Sequence, residues 1–190
     1  MKIYNSTQVG TEGLKAIVKH AAKTCHLVTK NAVFIFRTGQ WVRGKFETLK
    51  YGGYYEGYLK HERCAYGDDG RGEWKSNNLI FARPGFIWTW FSPWQDALST
   101  AESVYLTLVH ECKHAKDAQK GLHFGEYHRR WKNRPHERRA IAAKERACAD
   151  LAEKPKEDLQ DAILNLAIEI EGIQKRRRER WEKKVNGGKK

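Results

Sequence analysis

The stretch His110-Glu111-Cys112-Lys113-His114 constrains this chain more than any other. On an α-helix, residues four apart lie on one face, one turn from each other. The two imidazoles can then reach a single metal ion. Several features around the stretch predict that helix independently. Ser99-Thr100-Ala101-Glu102 has the pattern of a capping box, with Ser99 at the N-cap and Glu102 three residues on. Val104, Leu108, Val109, Cys112 and Ala115 follow as an apolar stripe at helical spacing. Gly121 stands where a C′ residue would end the helix. Histidines and a carboxylate beside an apolar stripe are costly to bury without a partner. The bland alternative is a charged helix face that carries H-E-x-x-H by chance.

The rest of the chain is long enough for one domain with a sizeable core, at 190 residues and 40% hydrophobic. No run of about 18 apolar residues predicts a membrane span. Met1-Lys2-Ile3-Tyr4-Asn5-Ser6 lacks the apolar core of a signal peptide, so a cytoplasmic location is expected. Cys25, Cys64, Cys112 and Cys148 are scattered, with no C-x-x-C pair, and are expected as reduced thiols. Cys112 falls one step past Glu111 and is expected to pack inward. A net charge of +13 favours acidic partners, nucleic acid above all.

In chain order, residues 11 to 24 read as an amphipathic helix capped by Thr11, with Leu14, Ile17, Val18, Ala21 and Ala22 on one side. Val33 to Phe36, Trp41 to Thr48 and Tyr54 to Leu59 read as strands of an antiparallel meander. Residues 62 to 78 are a polar loop. Asp68-Asp69-Gly70-Arg71-Gly72-Glu73 lacks the ligand spacing of a calcium loop. Leu79 to Arg83 and Phe86 to Phe91 are further strands. A strand just before the motif helix could hold an extended peptide along its edge. Pro135 can stand at N1 of a helix running to about Ala152. A last helix covers 157 to 183. Its seam of Leu159, Ile163, Leu166, Ile170 and Ile173 suits an intramolecular helix pair. The expected domains are residues 1–155, and 156–190 as an amphipathic helix with a basic end and a disordered tail.

A catalytic metal of this type usually has three protein ligands, so one is missing from the motif helix. Glu137 is the leading candidate. It sits near the start of the next helix, where a carboxylate is electrostatically favoured, and small Ala140 and Ala143 allow close packing. His128 competes, 14 residues past His114 and near Trp131; His123 and His136 remain open as well. The metzincin spacing is excluded, because its Gly and His places hold Asp117 and Lys120.

H-E-x-x-H together with the downstream Arg134-Pro135-His136-Glu137-Arg138-Arg139-Ala140 segment resembles the gluzincin branch of zincin metallopeptidases, including compact intracellular or phage-encoded members. The resemblance covers roughly residues 79 to 150. It implies an α+β, zincin-like fold: a small, mostly antiparallel sheet packed against the active-site helix, with extra N- and C-terminal helices. It also implies one Zn2+ per chain on His110, His114 and Glu137, with Glu111 as general base. His128 with Trp131 resembles instead the SprT-like branch, although the Gly expected after that His is absent, as is a zinc ribbon.

The expected activity is peptide-bond hydrolysis on a protein or peptide substrate, with Glu111 taking the proton of the attacking water. Tyr127, His128 and Arg134 are candidate oxyanion donors. Two alternatives stand beside it: a DNA-associated binding protein on a zincin scaffold, and an SprT-like protease acting on DNA-bound proteins. Lys175, Arg176, Arg177 and Arg178 are candidate nucleic-acid contacts, weighed against a solvated helix end that the helix dipole already favours. No membrane partner is expected.

Overall fold

The computed structural model describes residues 1–5, 7–30, 32–36, 39–42, 45–48, 53–58, 77–82, 96–120, 122 and 133–187. For residues 39–42, 45–48, 53–58 and 77–82 the description is of the backbone. Four helices carry most of these residues: α1 (Thr11–Thr24), α2 (Ala97–Gln119), α3 (Pro135–Glu153) and α4 (Glu157–Gly187). The motif helix α2 is the hub. It packs against α1, α3 and α4 and also against β5 (Gly53–Tyr58) and β6 (Asn77–Ala82).

The expectation of an α+β fold on a mostly antiparallel sheet is overturned. The described body is mostly helical. Its four-stranded sheet has the order β1-β2-β6-β5, with β1 at Lys2–Asn5 and β2 at Val33–Phe36. Two of its three ladders, β1–β2 and β2–β6, are parallel; only β5–β6 is antiparallel. Strands β3 (Gly39–Val42) and β4 (Lys45–Thr48) pair with each other as a separate hairpin. The expected meander therefore does not form. α1 accounts for the first of the two parallel ladders. Parallel neighbours need a crossover, and α1 supplies it between β1 and β2.

The strand expected to offer an edge is also different. β6 is paired on both sides, and β5 is the edge strand beside α2. The second expected strand, residues 86 to 91, lies outside the described residues.

The core is largely helical. Leu14, Ile17, Val18, Ala21 and Ala22 of α1 are buried, as their spacing predicts. They meet Val104, Leu108, Val109 and Cys112 of α2 and the α4 seam of Leu159, Ile163, Leu166, Ile170 and Ile173. Phe34 and Phe36, alternate residues of β2, add one sheet face to the same core. Among the described residues no helix is long and apolar enough to cross a membrane.

Two caps differ from expectation. α2 begins at Ala97, and Asp96 is the capping residue: its carboxylate accepts the Ser99 N–H at 2.6 Å. Ser99 is thus the third helical residue. Thr11 does not cap α1. Gly10 holds the N-cap position, and its N–H donates to Glu169 Oε2 of α4 at 2.6 Å. A Cβ at Gly10 or Gly13 would stand 3.0 or 2.8 Å from a Glu169 oxygen. The two glycines leave room for an anion from another helix to approach the α1 N-terminus, where the dipole favours it.

Candidate metal centre

Two helices build the site. His110 and His114 lie one turn apart on α2, and Glu137 lies in the first turn of α3. Pro135 starts α3 and Arg134 is its N-cap, which sets the direction of the first turn. Ala140, Ala143 and Ala147 are buried along α3, and their small size lets α3 approach α2 closely.

The donor atoms form a tight triangle. His110 Nε2 and His114 Nε2 are 3.1 Å apart. Glu137 Oε2 lies 3.3 Å from the first and 3.5 Å from the second. Donors bonded at about 2.0–2.1 Å to one tetrahedral ion lie about 3.3–3.4 Å from each other. The observed edges bracket that length. The group His110, His114 and Glu137 could hold a metal ion.

Electrostatics supports the same use. Burial pushes the His114 pKa below its ordinary value, against the pull of Glu137, which favours the neutral ring that ligation needs. Burial alone would raise the Glu137 pKa. Its hydrogen bonds with His110 and His114 outweigh this and hold the carboxyl at about 2. Glu137 is thus an anion at any ordinary pH.

Glu111 is buried, at 5% exposure. It follows His110 directly and sits about 60° around the helix from His114 at 100° per residue. Cys112 is fully buried in the core, and desolvation raises its thiol pKa well above the ordinary value. It packs inward and is not a donor.

Sequence reasoning missed Asp117 behind the triangle, and left His136 open only as a third-ligand candidate. Asp117 is completely buried and accepts from Lys113 and from Arg139 Nε, the latter at 2.6 Å. Arg139 is two residues past Glu137, so this ion network bolts α3 to α2 beside the donors. Burial works against the Asp117 charge. The hydrogen bonds from Lys113 and Arg139 prevail and keep its pKa below the ordinary carboxylate value. Lys113 and Asp117 are four apart, which is the readable part of the signal; the Arg139 arm is tertiary. His136 is buried too, with Nε2 3.6 Å from Glu137 Oε1 and its ring centroid 5.6 Å from that of His114. Desolvation, then His114 and the nearby arginines, hold its pKa down to about 4, against the pull of Glu137.

Of the candidate oxyanion donors, Arg134 is the α3 N-cap, whereas Tyr127 and His128 lie outside the described residues. His123 and Trp131 lie outside them as well. Lys175, Arg176, Arg177 and Arg178 are on α4, in its second half.

None of the family models, curated proteins or solved structures compared with the chain matches it.

Proposed function

We propose that the chain is a zinc-dependent metallopeptidase, with His110, His114 and Glu137 as ligands and Glu111 as general base. The observation that carries this reading is the donor triangle, with edges of 3.1, 3.3 and 3.5 Å from two separate helices. Two imidazoles and a carboxylate suit zinc, and three protein ligands leave the fourth tetrahedral position open for water or substrate. Zinc, when bound, supplies a Lewis acid that acidifies water and polarises a carbonyl.

The residues around it divide the remaining work. Glu111 stands on the motif helix beside the ligands, where its carboxylate can accept the proton of the attacking water and deliver it to the leaving amine. Glu137 and the two histidines orient the open position. Asp117 and Arg139 hold α3 in place, so that the Glu137 oxygen stays within about a bond length of where it must act. Arg134, at the start of α3, is the described candidate for a donor to the developing oxyanion.

A second reading has its own observation. His136 is buried within reach of Glu137 Oε1. It stands outside the donor group of His110, His114 and Glu137, so it would have to move inward to become a fourth ligand; a site closed in that way is structural, in keeping with a binding protein.

Metal analysis and peptidase assays on two variants separate these readings. The wild type should carry about one zinc per chain. Glu111→Gln should keep the zinc and lose peptidase activity by roughly 10²–10⁴-fold. His136→Ala should keep its zinc if the site is open, and lose it if the site is closed. Loss of zinc from Glu111→Gln would make Glu111 a ligand and sink the peptidase assignment.

A further inference from the structure

The far end of α4 changes chemistry in the middle of a face. Its buried seam runs through Leu159, Ile163, Leu166, Ile170 and Ile173. The next positions of the same stripe are Arg177, Arg180 and Lys184. Past Gln174 no described side chain of α4 is buried, yet the helix continues to Gly187. That is about 20 Å of helix at 1.5 Å per residue.

Lys175, Arg176, Arg177, Arg178, Arg180, Lys183 and Lys184 place seven cations on this segment, against Glu179 and Glu182. They fall within about 14 Å of helix rise, where cations far outnumber carboxylates. Lys175, Arg176, Arg180, Lys183 and Lys184 are exposed. Arg176 and Arg180, and Arg180 and Lys184, are four apart and repel one another. A polyanion would remove that repulsion.

Trp181 stands among these cations, 58% exposed. With Val185 one turn on, it is the segment's whole apolar content. That is too little for an interfacial helix, which needs a continuous apolar face. A flat aromatic ring ringed by Lys and Arg suits base stacking.

We propose that residues 175–187 form an arm that binds single-stranded nucleic acid, its exposed cations lying along the phosphates and Trp181 stacking on a base. The arm does not depend on the metal-site reading. Chelation of metal should leave binding unchanged, and arm variants should keep their metal.

The test is anisotropy of a labelled single-stranded 20-mer, as DNA and as RNA, titrated with the full chain over a series of salt concentrations. The wild type should bind at 50 mM salt. The triple variant Arg180→Gln, Lys183→Gln, Lys184→Gln should bind at least roughly tenfold more weakly. Its log–log salt slope should flatten by about 2, near 0.7 for each lost phosphate contact. Trp181→Ala should cost roughly tenfold and Trp181→Phe far less, because a ring still stacks. All these side chains are exposed, so an unchanged melting temperature verifies the fold of each variant. The proposal is overturned by absence of binding at 50 mM salt, or by a triple variant that binds like wild type. Binding to anionic phosphatidylserine vesicles that the oligonucleotide does not displace would also overturn it.

Discussion

Glu137 brings a negative charge to two imidazole nitrogens that would otherwise face each other at 3.1 Å. At the proposed centre, removing it leaves two ligands on one helix. Glu137→Ala should therefore weaken zinc binding by more than about 100-fold, beyond the loss typical of groups that only support a ligand. Competition with a chromophoric chelator measures this. An affinity close to wild type would move the third ligand elsewhere. The thiols give a second residue-scale prediction. Cys148 is exposed, whereas Cys25 and Cys112 are buried, and burial pushes the Cys25 thiol up to about 11. Mass-mapped alkylation at neutral pH should label Cys148 in the folded protein and reach Cys25 and Cys112 only on unfolding. Much of the donor set was legible at this scale. H-E-x-x-H fixes its own spacing, and Pro135 two residues before Glu137 marks a helix start. The role of Asp117 was not legible, because its Arg139 partner comes from another helix; His136 was an open candidate, and its burial beside Glu137 depends on the fold.

At the scale of elements, helices read more clearly than strands. The apolar periods of α1 and α4 place their buried faces, because one helix face is a local pattern. Strand partners are a long-range choice. Val33-Phe34-Ile35-Phe36 is a continuous apolar run, the mark of an inner parallel strand flanked on both sides, and not of an alternating meander strand. Lys2 to Asn5 is only four residues long and gives no period to read. The α1 cap failed for the same reason, since the anion over its N-terminus comes from Glu169, far along the chain; the α2 cap, Asp96, is local and was displaced by the Ser99 pattern three residues on. The other end of α1 carries a stability prediction. His26 has φ 51° at the C′ position, and the following Leu27 N–H returns to Ala22 O at 2.9 Å. A left-handed backbone strains a residue with a Cβ by roughly 1–2 kcal/mol, and glycine gives back part of this as chain entropy. His26→Gly should stabilise the protein by about 0.5–1 kcal/mol in urea unfolding. A loss of stability would mean that the imidazole makes a compensating contact.

For the whole molecule, a metal at the proposed centre and the ion network would be two clamps on one joint, because both would tie α3 to α2. A ligand that binds only the folded state at about 1,000 times its Kd adds roughly 4 kcal/mol. For a chain of this size that is roughly 8–16 °C in melting temperature. Chelation should therefore lower the melting temperature without unfolding the protein at 25 °C, since Lys113, Asp117 and Arg139 still join the helices. Asp117→Asn removes the charge between two cations and should cost about 3 kcal/mol, the low end for a buried pair because Lys113 and Arg139 keep some solvent. The two losses should not add. With α3 already loosened, the donors are no longer held in register, so chelation should lower the melting temperature of Asp117→Asn by less than that of wild type. Acid offers an independent check with a definite sign. The folded pKa of Asp117 is depressed, so its contribution is fully present above the unfolded carboxylate pKa of about 3.9. It is lost as pH falls below that value through the depressed folded pKa. Metal-free wild type should accordingly lose stability more steeply than metal-free Asp117→Asn as pH falls below about 4. Parallel pH profiles for the two proteins would show that Asp117 does not hold the joint.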